Sequence, residues 1–490
     1  MSRRTAPDAA ATTSDATTTA TPAPTEAPSP ADPRWLLPMV AIATVTSTVY
    51  LSLHSRTDPD TWWNLRAGQY LLDTGRFVGP EPWVRFTTRP FVLTEWLGDV
   101  AGASLYGWLG VPALAWMLGA CVLGLVGTML IAARRLADVV PAVIAVLAGL
   151  VVAAGSLSQR PQAISFVFVM VTVIAWWRTA SDLRPRWWLV PLTWVWACLH
   201  GFWLFGPVVG AAMTVGFLLD HRLDRRGFLR LSGLVGASVL AAGLTPVGPR
   251  LLTLPFQVRS AAARWVQEWQ PSDTHAAATI TALVMISGVV LIWLRRPEPP
   301  PWWQIGQLAL ALVLSLAYAR LLSVAACLLV PLLADALQSR HPHPAVVASR
   351  GERRLWAGLF VAGAVATAAL APVFAGEPHG VPVKLSRQVS AIPAGAVVFD
   401  DYGIGSWLLW SARQVTPVID GRIELYDQKY VEDYANALRV GPGWFDFLAD
   451  TGATYALVAD QSPISTALTD RLRWHTLGHD AGFTLMQAPR

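Results

Sequence analysis

The sequence contains few charged residues and few cysteines, and both shortages exclude familiar classes of protein. Charged side chains make up 14% of the 490 residues, against about 25% in soluble domains, whereas 53% of the residues are hydrophobic. The mean hydropathy is +0.42, so the chain is neither an ordinary soluble enzyme nor a disordered protein, and most of it is expected to lie in a bilayer. The cysteines stand alone in apolar runs, which excludes a disulfide framework and predicts inert buried thiols (Cys121, Cys198 and Cys327).

The sequence also lacks the usual motifs for metal and nucleotide binding. No His/Cys cluster has the spacing of a zinc site, and no glycine-rich phosphate loop occurs. The net charge of +5 is modest, and the arginines occupy short loops, so they indicate membrane topology and not nucleic-acid binding. Tryptophan, by contrast, is abundant, with 24 residues, and this excess is typical of proteins with extensive membrane–water interfaces.

Hydropathy divides the chain into three regions. Residues 1–33 are rich in Ala, Thr, Pro and Ser and are predicted to be a disordered cytoplasmic tail. Residues 34–375 are predicted to be a polytopic α-helical membrane domain, with a large first external loop at 54–110. Because a membrane-spanning helix needs about 20 apolar residues, about eleven spans are expected, near 35–53, 111–133, 139–157, 161–177, 186–203, 204–220, 229–246, 276–294, 302–318, 321–338 and 355–375.

The positions of the arginines predict the orientation of these spans. Arginine clusters precede the first span and follow the second, fourth, sixth, eighth and tenth, so all fall on one side. The positive-inside rule makes that side cytoplasmic. The first external loop also carries arginines, which weakens the contrast, but this long loop is expected to be structured. The sequence predicts a multi-pass plasma-membrane protein with a cytoplasmic N-terminus and an external C-terminus.

Residues 376–490 have a different pattern and are predicted to form an extracytoplasmic α/β domain. Short apolar blocks indicate strands at 396–400, 416–420, 454–460 and 483–487, and amphipathic stretches at 430–438 and 444–450 indicate helices. Aspartates end two of these strands, where α/β folds place ligand sites, although Asp also occurs there simply to form turns (Asp400, Asp401 and Asp420). Acceptor or glycan binding is one interpretation of this domain.

The first external loop contains the most informative acidic pair. Asp58 and Asp60 flank Pro59, which disfavours a helix at that point and favours an extended backbone for Asp58. Residues two apart in an extended segment point to the same side, so both carboxylates are expected to face one cavity. Residues 61–72 then predict an interfacial amphipathic helix with its Trp pair among the headgroups, ended by Gly75. The alternative for both acids is ordinary turn and N-cap chemistry.

Several segments together resemble a known family. DPDTWWNLRAGQYLLDTG, TEWLGDV, SQRPQ, CLHGFW and EWQPSD resemble segments of bacterial polytopic glycosyltransferases of the GT-C superfamily, of the protein O-mannosyltransferase and aminoarabinose transferase type. The resemblance covers roughly residues 35–340, and DDYGIGSW and DGRIELYD resemble the C-terminal segments of the same proteins. It implies transfer of a sugar from a polyprenyl-phosphate donor on the external face. Asp-Pro-Asp stands where many members carry adjacent acids, so either Asp58 or Asp60 corresponds to the catalytic position.

The chemistry of such a transfer needs one base and some positive charge. A sugar phosphate already has a good leaving group, so a single carboxylate that takes the acceptor's proton suffices. The departing phosphate needs cations or hydrogen-bond donors, and Arg160, His200 and Arg320 all fall at predicted external ends of spans. Arg160 is the best candidate by position, because cations at membrane depth are rare and usually functional. The alternatives are snorkelling arginines and a hydrogen-bonded packing histidine.

A second acidic pair precedes the second apolar span. Glu95 and Asp99 are four residues apart and therefore share a helical face, where they are expected to form a second acidic wall that binds acceptor hydroxyls or a cation. The alternative is a solvated start of an interfacial helix. Glu268 and Asp273 are weaker candidates. A divalent cation such as Mg²⁺ or Mn²⁺ between external carboxylates is possible in this arrangement, but the chemistry does not require it.

These patterns lead to one hypothesis and two rivals. The hypothesis is a membrane glycosyltransferase that acts on a lipid-linked sugar and on an acceptor glycan, lipid or protein. The first rival is a transporter or flippase for a lipid-linked sugar, a class that often has repeated halves and helices broken near the midplane; here no internal repeat is evident and the acids lie in loops. The second rival is a non-catalytic scaffold for envelope assembly.

Overall fold

A computed structural model describes residues 36–55, 57–254, 256–257, 265–340 and 348–489. The predicted tail at 1–33 lies outside the described residues. In the described part, most of the chain up to residue 374 is helical, and a small sheet follows it. The helices of this first part are α1 (Leu36–His54), α2 (Pro59–Thr74), α3 (Trp96–Leu109), α4 (Pro112–Arg134), α5 (Val139–Ala153), α6 (Gln162–Asp182), α7 (Leu189–Leu199), α8 (Phe205–Leu219), α9 (Arg225–Ala242), α10 (Ala277–Trp293), α11 (Trp302–Ala317), α12 (Leu322–Gln338) and α13 (Arg350–Phe374).

Every predicted apolar span falls on one of these helices, although their lengths vary. Within the described residues, six helical segments are long and apolar enough to cross a membrane: Pro112–Arg134, Val139–Ser156, Gln162–Asp182, Gly201–Leu219, Ala319–Gln338 and Arg350–Phe374. Four shorter apolar helices are Pro38–His54, Leu189–Leu199, Ala277–Trp293 and Trp302–Ala317. Helix α12 is central, because it packs against α4, α5, α10 and α11 and nearly all its side chains are buried. The chain is therefore a mostly helical, multi-pass membrane protein.

Residues 383–489 contain a five-stranded mixed sheet with helices packed around it. The strands are β3 (Val397–Asp400), β4 (Thr416–Pro417), β5 (Tyr455–Ala459), β6 (His475–Asp480) and β7 (Phe483–Gln487), in the order β4-β3-β5-β7-β6. Strand β3 runs parallel to β4 and β5, whereas β7 runs antiparallel to β5 and β6. The helices are α14 (Ser386–Ser390), α15 (Tyr402–Ser411), α16 (Gln428–Leu438), α17 (Trp444–Thr451) and α18 (Pro463–Asp470). We call residues 383–489 the C-terminal unit.

The first loop lies between the membrane helices and the C-terminal unit. It contains α2, α3 and a two-stranded ribbon, β1 (Val78–Gly79) with β2 (Phe91–Val92). Helix α2 packs against α3 on one side and α15 on the other. Trp62 is 2% exposed and contacts the rings of Tyr106 and Trp410. The expectation that the Trp pair lies among headgroups is therefore wrong for Trp62, because α15 covers that face. Gly75 does end α2, as predicted, with a left-handed backbone.

Candidate functional site

Arg160 is the centre of an acidic cluster at one end of the helices. Its Nη1 lies 2.7 Å from Asp60 Oδ2, its Nη2 lies 2.5 Å from Glu268 Oε1, and its Nε lies 3.0 Å from Asp58 Oδ2. The planar guanidinium offers five N–H donors, so one side chain holds all three carboxylates. The cluster is half-buried, which strengthens these contacts relative to a fully exposed one. Glu268 had been only a weak candidate from the sequence, and the structure brings it next to the acidic pair.

The two loop aspartates reach Arg160 by a different local structure from the one predicted. Pro59 occupies the first position of α2, where proline is favoured because its missing N–H would have no helical partner. Asp58 is extended and caps the helix, with its Oδ1 accepting from the Asp60 N–H at 3.0 Å. Asp60 is helical, so the expectation of a shared extended segment is wrong. Asp58 both caps the helix and contacts Arg160, which combines the two alternative interpretations.

Asp60 lies in an environment that disfavours its charged form. Burial raises the pKa of its carboxyl to about 6, the charge of Arg160 opposes that rise, and the charges of Asp58 and Glu268 add to it. Gly421 of the C-terminal unit lies directly against this carboxylate, because a β-carbon at that position would be 2.5 Å from Asp60 Oδ1. A carboxyl whose pKa is about 6 can accept a proton from a neighbouring hydroxyl near neutral pH.

Glu95 and His200 form a second polar pair. Glu95 is the residue before α3, and its Oε1 accepts from the Gly201 N–H at 3.2 Å and lies 3.7 Å from His200 Nε2. The Phe202 N–H donates to His200 Nδ1 at 3.2 Å, so the neutral ring carries its proton on Nε2, towards Glu95. Burial raises the pKa of Glu95 to about 7. His200 therefore has both a packing role and an N–H directed at the site.

Arg320 lines a cavity of about 440 Å³. Its guanidinium lies over Trp269 at 4.4 Å and over Phe202 at 5.0 Å from the ring centroids. Its buried Nε has no hydrogen-bond partner among the described residues. The same cavity is lined by Glu95, His200 and Glu424. We call it the arginine cavity, and its combination of cation, carboxyls and aromatic faces suits a ligand with both a phosphate and hydroxyls.

Asp99 faces a different cavity, of about 220 Å³. It is 1% exposed, and neither carboxylate oxygen has a hydrogen-bond partner in the described part of the chain. Burial raises its pKa well above the usual range, and the charge of Glu95 adds to the rise. The expectation that Glu95 and Asp99 form one acidic wall is wrong. Glu95 precedes α3 and lines the arginine cavity, whereas Asp99 is part of α3 and belongs to the lining of the second cavity. We call this second space the aspartate cavity.

The C-terminal unit contributes residues that the sequence analysis did not single out. Arg422 is buried, with Nη2 2.6 Å from Asp420 Oδ2 and Nη1 3.0 Å from Glu81 Oε2 in the first loop. Two residues further on, Glu424 lines the arginine cavity, and burial raises its pKa to about 7. Within the DGRIELYD segment, the sequence analysis named only Asp420 as a candidate and quoted the rest as a resemblance. The charged residues of this segment indicated a polar site. The ion pair of Arg422 with Glu81 could not be predicted, because Glu81 is too distant in sequence for a local pattern to connect them.

The remaining acidic candidates have other partners. Asp273 is exposed and pairs with His275 at 3.3 Å. Asp400 accepts from the Val418 N–H at 2.7 Å, and Asp401 caps α15. No group of three or more His, Cys, Asp or Glu residues suited to a metal ion occurs in the described ranges.

Comparison with known proteins identifies the fold. No protein-family model matches the chain, and no curated protein sequence matches it. Among solved structures, ArnT from Cupriavidus metallidurans matches in the apo state with a TM-score of 0.52 and 14% identity, and bound to undecaprenyl phosphate with 0.51 and 14%. Both alignments cover 93% of this chain and 99% of ArnT. The arabinofuranosyltransferase AftD from Mycobacteria matches with a TM-score of 0.50 and 15% identity, over 93% of this chain and 40% of AftD.

These matches confirm the predicted resemblance at the level of the fold. The chain has the fold of the GT-C membrane glycosyltransferases. It spans nearly the whole of ArnT and about 40% of AftD.

Proposed function

We propose that this chain is a GT-C glycosyltransferase that moves a sugar from a polyprenyl phosphate to an acceptor hydroxyl on the external face of the membrane. The observation that carries the proposal is the half-buried ion pair between Asp60 of the first loop and Arg160, which precedes α6. A neighbouring cavity is lined by Arg320. The fold adds support, since ArnT, which shares it, has been solved with undecaprenyl phosphate bound.

Asp60 is the base in this proposal, and Asp58 is its neighbour. The Oδ1 of Asp58 is occupied by the helix cap, whereas burial raises the pKa of Asp60 to about 6. Asp60 takes the proton of the acceptor hydroxyl while the oxygen of that hydroxyl attacks the anomeric carbon of the donor sugar. The new glycosidic bond forms while the bond from the sugar to the phosphate oxygen breaks, so polyprenyl phosphate leaves with the electron pair.

The phosphate is assigned chiefly to Arg320. Arg160 is already engaged with three carboxylates, so its main role is to hold Asp60, and the phosphate role that the sequence suggested for it becomes secondary. Arg320 lines the arginine cavity, and its Nε has no hydrogen-bond partner among the described residues. Guanidinium–phosphate hydrogen bonds are among the strongest in proteins. His200 directs its Nε2 proton into the same cavity and is assigned as a second donor to the phosphate oxygens.

The sugar is placed in the arginine cavity, with the C-terminal unit as one of its walls. Glu95 and Glu424 line this cavity, and carboxyl groups accept hydrogen bonds from sugar hydroxyls. Glu424 comes from a segment that Arg422 ties to the first loop. The role proposed for the C-terminal unit is therefore to close the donor site, which is more specific than the glycan binding suggested by its sequence.

The topology proposed is eleven spans with a cytoplasmic N-terminus and an external site. Successive helices then alternate in direction, and Asp60, Arg160 and Glu268, which contact one another, fall on the external side. The ion pairs Arg134–Glu352 and Arg296–Asp335 fall at the other ends of their helices, on the cytoplasmic side. This separation agrees with the positive-inside rule.

Reconstitution tests the proposal. The full chain in proteoliposomes is given undecaprenyl-phosphate-linked hexoses and pentoses with a radiolabelled sugar, together with lipid and polysaccharide acceptors. The wild type is expected to form a labelled product, and Asp60→Asn is expected to lose at least about 10²-fold in rate, since general-base catalysis supplies about that much. Asp73→Asn is the matched control, because Asp73 is an exposed acid on the same helix.

Two results would contradict the proposal. Full activity in Asp60→Asn would show that Asp60 is not the base. Movement of label between leaflets without any new product would instead favour a flippase.

A further inference from the structure

A groove of about 680 Å³ lies between α4 and α13, at the end of α4 that is remote from the first loop. One side of the groove is formed by side chains within residues 127–135, and the other by side chains within residues 352–360. On each side the lining residues recur at helical spacing, so each helix contributes one face. We call this space the basic groove, and it is separate from the candidate catalytic site.

The inner part of the basic groove is apolar. Leu130 and Ile131 line it on α4, and Trp356 and Phe360 line it on α13, with their two rings stacked at 5.8 Å between centroids. Both helices are long and apolar enough to cross a membrane. Ile131 is 50% exposed, and Val361, beside the groove on α13, is 64% exposed. Lipid chains therefore surround this part of the protein and have access to the groove.

The outer part of the groove carries cations. Arg134 is 7% exposed and makes two hydrogen bonds to the carboxylate of Glu352, at 2.6 and 2.9 Å, which join α4 to α13. Arg135 and Arg353 also line the groove but are exposed, and neither has a carboxylate partner among the described residues. The sequence from 340 to 350 contains no Asp or Glu. Two positive charges thus remain uncompensated at the mouth of the groove.

We infer that the basic groove binds an anionic phospholipid from the adjoining leaflet. Arg135 and Arg353 hold the phosphate of the head group from the two sides of the mouth, and one acyl chain lies along the apolar part. That part extends from Arg353 to Phe360, which is two helical turns, or roughly 10 Å. The inference requires neither catalysis nor a particular orientation of the chain, so it is independent of the proposed function.

The charge of the groove favours a lipid over a soluble anion, and an anionic lipid over a zwitterionic one. Basic pockets between membrane helices are typical binding sites for anionic head groups. A zwitterionic head brings an ammonium group, which the two free arginines repel. A soluble phosphate would pair with the arginines but would leave the apolar part of the groove without a matching group.

Photo-crosslinking tests the site directly. The purified full chain is placed in phosphatidylcholine nanodiscs that contain a small fraction of phosphatidylglycerol with a diazirine in one acyl chain, and separately the matched phosphatidylcholine probe. Phosphatidylglycerol is expected to label the lining segments 127–135 and 353–360 about tenfold more strongly, because each arginine near an anionic head contributes about fivefold in affinity. Glycerol phosphate, which lacks the chain, is expected to compete poorly.

Charge substitutions locate the head group. Arg135→Gln combined with Arg353→Gln is expected to remove most of the preference for phosphatidylglycerol. Arg225→Gln combined with Arg226→Gln is the matched control, because these arginines are also exposed at a helix end but lie outside the groove. The control is expected to keep the preference unchanged. An equal loss in both double variants would show a general effect of surface charge and would overturn the inference.

A bulky side chain in the groove tests where the chain lies. Ala357 is exposed and lines the groove, whereas Ala362 is exposed on the same helix outside the lining. Ala357→Trp is expected to abolish labelling of residues 127–135, and Ala362→Trp is expected to preserve it. Labelling that persists in Ala357→Trp would place the lipid elsewhere and contradict the site.

Three further outcomes would overturn the inference. Equal labelling by the two lipid probes would show that the groove does not select an anionic head. Efficient competition by glycerol phosphate would make the ligand a soluble anion. No labelling of the groove by either probe would show that protein, from this chain or a second copy, covers it.

Discussion

Gly421 of the C-terminal unit lies directly against the carboxylate of Asp60 in the first loop. A β-carbon on Gly421 would be 2.5 Å from Asp60 Oδ1 and 3.1 Å from Ser406 Oγ. The close approach requires glycine at this position, since no larger residue fits without displacing one of these groups. The C-terminal unit is thereby in contact with the proposed base, although about 360 residues separate them in sequence.

The first prediction follows from this contact. Gly421→Ala is expected to displace the Asp60 carboxylate and lower the transfer rate by roughly 10²-fold, since a misplacement of about 1 Å can cost that much. Proteoliposome assays measure the rate, and thermal unfolding checks that the chain remains folded. Gly403→Ala is the control, because a β-carbon there meets its nearest atom at an ordinary 3.6 Å. Equal rates in the two variants would contradict the prediction.

The second prediction concerns the pH dependence of the reaction. The pKa of Asp60 is raised to about 6, and a base works only when deprotonated. The rate kcat/KM is therefore expected to fall as the pH drops through about 6 and to level off above it. Initial rates between pH 4.5 and 8.5, a range of roughly two units around that value, measure the profile.

Arg160 provides a test of the same profile. Its charge lowers the pKa of Asp60, so Arg160→Gln removes the opposition to burial. In this variant the acidic limb of the pH profile is expected to move to higher pH. This shift is separate from any decrease in the maximal rate. A limb that stays in place would show that another group titrates, and would contradict the assignment of Asp60.

The third prediction concerns the phosphate of the donor. Arg320→Gln is expected to weaken the binding of undecaprenyl phosphate roughly 10- to 100-fold, which corresponds to the loss of a charged hydrogen bond. Binding of the lipid to the purified protein, measured by native mass spectrometry, checks this without catalysis. Arg250→Gln is the matched control, because Arg250 is exposed and lies outside the cavity lining. Unchanged binding in Arg320→Gln would place the phosphate elsewhere.

The fourth prediction concerns the contact between the first loop and the C-terminal unit. Arg422→Gln leaves the buried carboxylates of Asp420 and Glu81 without their cation, and breaking a buried pair in this way costs about 3–5 kcal/mol of stability. A clearly lower temperature of unfolding is expected. Adding Glu81→Gln is expected to restore part of the loss, since it removes one of the unpaired charges.

A surface pair is the comparison for this effect. Lys429→Ala, in the exposed pair with Asp433, is expected to change the unfolding temperature little, because surface ion pairs contribute little to stability. An equally small effect of Arg422→Gln would show that the C-terminal unit is held by other contacts.

Elements that depend on local pattern were predictable from the sequence. The strands at 397–400, 455–459 and 483–487 and the helices at 428–438 and 444–451 match their predicted segments, because short apolar blocks and helical amphipathicity are local properties of the sequence. Strand β6 and helix α15 were missed. Most side chains of β6 are exposed, so it lacks an apolar block. Helix α15 begins within DDYGIGSW, whose glycines suggest a turn.

For the candidate site, the sequence predicted many of the residues involved but not the contacts among them. Asp58, Asp60, Arg160, His200, Arg320, Glu95 and Asp99 were all singled out from their positions in loops and at the ends of spans. The error at Asp60 arose because Pro59 fits both an extended segment and the first turn of a helix. Glu424 and Arg422 were missed because nothing in their neighbourhood shows that they face the first loop.

The sequence alone determined that the chain lies in a membrane, where its apolar segments fall and where the sheet begins, because hydropathy and periodicity act over a few neighbouring residues. Only the tertiary structure decided which side chains meet. In the fold, Arg160 contacts one acid about 100 residues before it and another about as far after it. Glu95 and Asp99, four residues apart, belong to the linings of different cavities. Those outcomes depend on how whole helices pack, and packing is shared among segments that no local pattern connects.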